Sequence, residues 1–410
     1  MRRALIAILS CALLLTACRD AGNKVSVQPA PAPEPPTEAA LQSAAEGFNT
    51  FALDLHRHLP VGGNLFYSPA GIRSTLALAW SGADGRTEQE MQDVLHLGES
   101  RNEILAALGS LHVLLQQTEG PATLSMANRL WGQEGFPFRE EWTRSSRRHF
   151  AGSFESADFH QDADAERRRI NRWVAKNTGD RITDLLPPGA VNASTRLALT
   201  NAVHFLAPWQ HPFKKTATQD RDFHTPDGSI KVPTMSASEN FWLFQDKAMT
   251  LLGLPYEKGE YEFVVILPHI RDGLPVLEEN LDWDTLRPGL EAMKREWVHV
   301  QIPRLETGSQ LDLAAILPAM GLQAAFSPDE ADFTRMAEDD RLFLDAALHK
   351  SYLRVDEEGT EAAAATGLTF GVTSMPPAAT PVHVDHPFLL LIRHRETGVV
   401  LFMGRIEDPR

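Results

Sequence analysis

The chain reads as an α+β fold, rich in helix at its start and in strand towards its end, and three observations predict it. Apolar residues recur at helical spacing after Thr37 and again after Ser68. Two later runs, Tyr261 to Leu267 and Trp297 to Ile302, have the apolar content and the alternation of strands. Close to the C-terminus, Phe388 to Ile392 and Val399 to Met403 flank a polar six-residue turn as a hairpin. A length of 410 residues admits two or three domains. No repeat or second linker divides the chain after residue 36, however, and residues 37–410 are expected to form a single domain.

The N-terminus has a different character. Arg2 and Arg3 precede an apolar run, Ala4 to Leu15, too short to span a bilayer as a mature helix and suited to a secretory signal over residues 1–17. The run ends Leu15-Thr16-Ala17-Cys18, which resembles a bacterial lipoprotein box. That resemblance implies a Cys18 lipidated on sulfur, with enough acyl chain for stable attachment to a bacterial membrane. The expected location is extracytoplasmic; Arg19 after the cysteine favours the outer membrane or cell surface if the source is Gram-negative. Cleavage would also remove Cys11 and two positive charges, taking the formal charge from −15 to −17 and leaving no cysteine for a disulfide. Residues 18–36, with Gln28 to Pro36 rich in Pro and Ala, read as an extended tether.

Within the domain, Thr37 is the expected N-cap of a first helix that turns Leu41, Ala44, Phe48, Phe51, Ala52 and Leu55 inward. Ser68-Pro69 opens a second, ending before Gly82. Thr87-Glu88-Gln89-Glu90 reads as a capping box for a third, with Met91, Val94 and Leu95 inward and Gly98 as its stop.

Several chemistries are argued against. The acidic balance disfavours a nucleic-acid partner. HExxH and CxxC patterns are missing, as are G-x-S-x-G, G-x-x-x-x-G-K-[ST] and G-x-G-x-x-G, so neither a metal, a cofactor nor a catalytic centre is expected. Ser229-Ile230-Lys231 has the spacing of a Ser–Lys dyad but follows Asp227-Gly228 as a turn entering a strand. Glu278-Glu279 and Asp339-Asp340 read as solvated carboxylates, and Arg144, Arg147, Arg148, Arg167, Arg168 and Arg169 as solvated helix faces.

One stretch stands apart: Val355-Asp356-Glu357-Glu358-Gly359-Thr360-Glu361 followed by Ala362, Ala363, Ala364, Ala365 and Thr366, running to Pro377. Taken as a strand from Thr360, one face carries Thr360, Ala362, Ala364, Thr366, Leu368 and Phe370, none of them charged. Alanine and glycine form strands poorly, so the segment is able to be loop or strand.

Other segments, with this one, resemble the serpin family. Asn64-Leu65-Phe66-Tyr67-Ser68-Pro69 followed by Gly82-Ala83-Asp84-Gly85-Arg86-Thr87 looks like its early motif. Ile170-Asn171-Arg172-Trp173-Val174, then Asn201-Ala202-Val203-His204-Phe205 with Trp209 and Phe213, resemble its central blocks, and Val232-Pro233-Thr234-Met235 the next. Asp385-His386-Pro387-Phe388 and Leu401-Phe402-Met403-Gly404-Arg405 resemble its terminal motifs.

The resemblance implies about nine helices, three β-sheets and an exposed reactive-centre loop at about 357–380. It implies a monomeric protease inhibitor, not an enzyme, acting as a suicide substrate: the loop is cut and inserts as a strand while the protease is still acyl-linked. The hinge would comprise Glu357, Glu358, Gly359, Thr360, Glu361, Ala362, Ala363, Ala364 and Ala365. Counting from Gly359 puts the reactive bond at Thr373-Ser374, within one or two residues. Positions under the sheet opening carry over as Ser68, Asn201 and His349; Gly71 stands where many members have serine. The fourteen residues from Thr360 to Thr373 would span roughly 46 Å as a strand at ~3.3 Å each. Small uncharged residues at the bond suit elastase-like or subtilisin-like serine proteases, with cysteine proteases as a further target class. Asn102 to Gln117 carries no Lys or Arg, so no glycosaminoglycan partner is expected. The alternatives are a non-inhibitory carrier or chaperone of the same family and a lipid-anchored hydrolase.

Overall fold

The computed structural model describes residues 36–98, 100–116, 120–150, 154–338, 342–360 and 378–410. Pro35–Arg410 form one compact unit. In chain order its elements are α1 (Glu38–His58), β1 (Leu65–Tyr67), α2 (Pro69–Trp80), α3 (Gly85–Val94), α4 (Arg101–Gln116), β2 (Thr123–Gln133), α5 (Glu140–His149), β3 (Phe154–Ala157) and α6 (Phe159–Asn177). There follow β4 (Leu197–Pro208), β5 (Gln219–Thr225), β6 (Gly228–Gln245), β7 (Met249–Pro255), β8 (Tyr261–Pro268), α7 (Leu274–Asn280), α8 (Trp283–Ala292), β9 (Lys294–Pro303), β10 (Leu305–Asp312) and α9 (Leu313–Ile316). The chain ends with β11 (Ala346–Val355), β12 (Gly359–Thr360), β13 (Thr380–His383), β14 (Phe388–His394) and β15 (Val400–Ile406).

Local chemistry sets the helix starts. The Thr37 hydroxyl accepts from the Ala40 amide, and Ser68 caps α2 by accepting from the Gly71 amide with Pro69 at the first position. Almost every residue of α2 is buried, so it is a core helix rather than an amphipathic one. The third helix starts earlier than its capping-box pattern suggests. Asp84 caps it, and Thr87, already inside, accepts through its hydroxyl from the Asp332 amide. It also stops at Val94, short of Gly98, where His96 takes a positive φ of 49°.

Hydrogen bonds join the described strands into two sheets. One has six strands in the order β10-β11-β12-β4-β2-β3; the other has nine and is joined through the eighteen-residue β6. The first half of β6 pairs with β5, its middle with β9 and its end with β7, so the expected second and third sheets are continuous through β6 and β9. The main core lies between the two sheets and around α2. A smaller one lies on the far face of the six-stranded sheet, where Ile170 and Val174 of α6 cover Ala198, Ala202 and Leu348.

Two charge readings are corrected. Glu278 is no solvated carboxylate: it is mostly buried and pairs with His56 (2.7 Å) and Arg405 (3.0 Å), because α7 packs against the end of α1 and β15. Arg167 and Arg169 are half-buried. Arg169 binds Glu155 and Glu166 and lies over Trp131, fastening α6 to the sheet edge, whereas Arg144, Arg147, Arg148 and Arg168 are exposed. Ser229 and Lys231 do not bond to each other: both reach Asp222 across the β5–β6 turn, at 3.5 and 2.9 Å.

Phe205 of β4 joins the two sheets, packing edge-on against Tyr256 and Tyr261 and tilted against Phe402 at centroid distances of 5.1, 5.2 and 6.0 Å. Phe205→Ala is expected to lower the stability of the native state by about 3–5 kcal/mol. Urea unfolding followed by tryptophan fluorescence measures it, and a loss below about 1 kcal/mol would mean that this contact does not join the sheets.

Candidate functional site

In the centre of the six-stranded sheet, β4 and β11 run parallel and pair directly from Ala198↔Ala346 to Val203↔Ser351. Above that point they part, and β12 lies between them, antiparallel to both. Gly359 and Thr360 pair with Pro208 and Ala207 on one side, and Thr360 with Val355 on the other. Gly359 has φ +155°, and a Cβ there would sit 2.1 Å from the Ala207 carbonyl oxygen, so no side chain fits. Thr360 is buried, and its hydroxyl meets that of Tyr256 at 2.6 Å. Tyr256 in turn stacks on Trp209 at 4.7 Å, and the Trp209 indole N–H donates to the Asp356 carbonyl. The Trp209 and Phe213 amides donate to the carbonyls of Glu358 and Glu357, both at 2.9 Å. The turn is therefore held by backbone and ring contacts on every side.

Glu357 provides its ionic anchor. The side chain is 2 % exposed, yet it accepts from Arg304 Nε at 2.9 Å and from Arg304 Nη2 and the Thr218 hydroxyl. Burial alone would raise this carboxyl; Arg304 and Thr218 outweigh it and hold it below the ordinary value. Glu358 pairs with Lys215 at 2.7 Å on the exposed side. Beside them opens a cleft of about 490 Å³ lined by Lys215, Arg304, Arg354 and Glu357.

Lower in the sheet, Ser68, Asn201 and His349 come together in one buried polar cluster. His349 and Asn201 are register partners across the β4–β11 joint. The Ser68 amide donates to His349 Nε2 at 3.2 Å, which puts the ring proton on Nδ1, and Nδ1–H donates to Asn201 Oδ1. The Asn201 amide group donates onward to Asn128 Oδ1 at 2.6 Å, and the Ser68 hydroxyl donates to the Leu401 carbonyl at 2.7 Å. Gly71 has a physical reason: a Cβ there would lie 2.7 Å from Asn201 Nδ2 and 2.7 Å from Val203 Cγ2. Burial pushes the His349 imidazole down to about 3, so the ring is neutral.

Of the hinge, Glu357, Glu358, Gly359 and Thr360 are thus placed; Glu361, Ala362, Ala363, Ala364 and Ala365 lie outside the described residues, as do Thr373, Ser374 and Cys18. Asp339 and Asp340 also lie outside them. Sequence reading missed Arg304, Thr218, Tyr256 and Asn128, which touch the site from distant elements and stand in no motif. Trp209 was legible as a motif residue but not as the ring beneath the turn.

A family model described as "Serpin (serine protease inhibitor)" matches residues 46–409. The chain is a serpin. Relatives include the leukocyte elastase inhibitor of Bos taurus, 35 % identical over 88 % of this serpin and 97 % of the relative. Serpin B13 of Homo sapiens is 34 % identical over 85 % and 94 % respectively. Among solved structures, human thyroxine-binding globulin complexed with thyroxine superposes with a TM-score of 0.82 at 27 % identity, covering 90 % of this serpin and 99 % of that chain. Its relatives therefore include both a protease inhibitor and a hormone binder.

The buried His349 makes native stability depend on pH. Its folded value lies below the ordinary 6.5, so between those limits the unfolded chain binds more protons than the native one. The stabilisation is complete above about pH 6.5 and falls as pH drops towards 3, by at most about 1.4 kcal/mol per unit. Urea midpoints from pH 7 to pH 5 should show this fall, and His349→Gln should flatten it; an equal slope in the variant would remove His349 as its source.

Proposed function

We propose that this serpin is an inhibitor of serine proteases that acts by inserting its cleaved loop into the six-stranded sheet. The target's serine attacks the Thr373 carbonyl, the Ser374 amine leaves, and an acyl-enzyme remains on the segment that inserts. The observation that carries this reading is the register at Gly359 and Thr360. Extended downward, the pairing with β4 and the pairing with β11 agree at every step. Both would set Ala364 between Val203 and Ser351, and both would set Thr366 between Asn201 and His349, in an inserted strand.

Side-chain parity supports it. Thr360 faces the main core beside Ala207 and Val355, so in the inserted strand Ala362, Ala364, Thr366, Leu368 and Phe370 would face it too, all uncharged. Glu361 would take the opposite face, next to the exposed Arg354. A carrier needs no such match along the whole segment. The small residues at the reactive bond favour elastase-like or subtilisin-like targets, and the elastase inhibitor among the relatives agrees with the first. For location, the Leu15-Thr16-Ala17-Cys18 pattern with its Pro-rich tether supports a lipid-anchored, extracytoplasmic serpin.

Incubation with pancreatic elastase, subtilisin, trypsin and papain tests the reading. An SDS-resistant complex is expected with elastase or subtilisin and none with trypsin. Loop cleavage without a complex in all four mixtures, and no rise in thermal midpoint after cleavage, would overturn it. Thr360→Arg buries a charge against Tyr256 and should convert inhibitor to substrate, with cleavage retained and the complex yield falling at least about tenfold; an unchanged yield would contradict the insertion step.

A further inference from the structure

Phe241, Leu243 and Val298 point into the main core, so by alternation Trp242 of β6 and Arg295 and Trp297 of β9 share the opposite face of the nine-stranded sheet. Arg295 is the register partner of Trp242 and lies over its ring at 5.6 Å. Arg395, just past β14, lies over the same ring at 4.4 Å. Two strands away, Glu262 of β8 accepts from Arg393 Nε and Nη2 on a single oxygen, at 2.9 and 2.7 Å. Gly253 makes room for that carboxylate, since a Cβ there would lie 2.6 Å from Glu262 Oε1. Among the described residues the ion pair of this cluster joins Arg393 to Glu262 and leaves Arg295 and Arg395 outside it. Burial first, and then the like charges of Arg393 and Arg295, lower the Arg395 value against the pull of Glu262.

The position of these cations decides what can meet them. At its C-terminal end the proposed reactive loop enters β13 at Thr380, which pairs with Val298 in a parallel run, so it arrives at the Arg295 end of β9. At its N-terminal end the Trp209 amide holds the Glu358 carbonyl, and Gln210, next in sequence, accepts from Arg295 Nη2 at 3.4 Å. Arg295 therefore stands between the two ends of the segment that a protease has to grip. It is exposed, as is Lys294 beside it, while Glu296 alternates to the other face. Between Gly359 and Thr380 the loop has Glu361 as its sole charged residue, so discrimination by charge has to come from outside it. With a formal charge of −15 the chain as a whole repels an acidic partner, and a cationic face at the gripping place would accept one there in a fixed orientation.

We propose, resting on the inhibitor reading above, that Arg295 and Arg395 are a second contact for the target protease, and that the proteases this serpin engages fastest carry acidic side chains on the rim of the active-site cleft.

Loss of intact chain to pancreatic elastase and to subtilisin, followed on gels at about 20 and about 300 mM NaCl, provides the test. Arg295→Gln combined with Arg395→Gln should slow the cut by at least one of the two proteases at least about fivefold at low salt, and flatten its salt dependence. Arg295→Lys combined with Arg395→Lys keeps both charges and should keep at least about half the rate. Arg172→Gln removes an exposed arginine from α6 and should change the rate less than about twofold. A misfolded variant would be cut faster, so slowing cannot arise from damage to the fold. A smaller effect of the Gln pair with both proteases, a Lys pair as slow as the Gln pair, or equal slowing by Arg172→Gln would overturn the proposal. Because the cut is read and not the complex, cutting without a complex would overturn the inhibitor reading alone, whereas a chain that neither protease cuts would overturn both.

Discussion

The six parallel pairs between β4 and β11 are the joint on which the rest of the sheet depends. A parallel ladder has slanted hydrogen bonds and is somewhat weaker per residue than an antiparallel one. A strand entering between these two runs antiparallel to both, as β12 already does. The proposed insertion would thus exchange one weaker ladder for two stronger ones. On the proposed mechanism the closed sheet would be the less stable arrangement of the same chain, kept by the barrier to parting a packed core. The fold supplies that barrier: α2 underlies the joint on one face, and Ile170 and Val174 of α6 cover it on the other.

The polar cluster sits at the middle of this joint for a related reason. His349 and Asn201 are fully buried, and each satisfies the other across the boundary that has to open. Parting them with nothing in between would strand two buried polar groups at about 1–3 kcal/mol each. That cost guards the closed state against random opening. In the proposed insertion Thr366 arrives between them, and its hydroxyl, able to donate and to accept, can answer both. The same cluster that resists an empty gap would accept this particular strand. Gly71 belongs to the same economy of space, since Asn201 occupies the volume a side chain there would need.

Much of this was legible in the sequence where the signal was local. Thr37, Ser68-Pro69 and the alternation at Val298, Val300 and Ile302 predict their elements because capping and period act over a few residues. The start of α3 was misread since two caps compete there, and the aspartate three residues ahead of Thr87 wins by tying Gly85 and Arg335 as well. Glu278 looked solvated because its partners, His56 and Arg405, lie more than a hundred residues away on either side. The hinge is visible as Gly359-Thr360; its anchor Arg304 is not, because an ion pair between two turns 53 residues apart leaves no spacing to find.

The anchored turn also explains where the small residues fall. Glu357 on Arg304 and the Gly359 contact with β4 fix the upper end, so the proposed insertion has to proceed downward from Thr360. β4 and β11 are already apart above Val203 and Ser351. In the proposed insertion residues 361–363 would break none of these strand pairs, and Ala364 would be the first to displace one. Clearance matters most just there, before the joint has yielded, and the chain has Ala362 to Ala365 at those positions. Leu368 and Phe370 would come after the His349–Asn201 bond had parted, when a large apolar side chain would add buried area instead of steric cost. Read in this direction, the order small, hydroxyl, large along one face is the order in which the barrier is met, crossed and made irreversible.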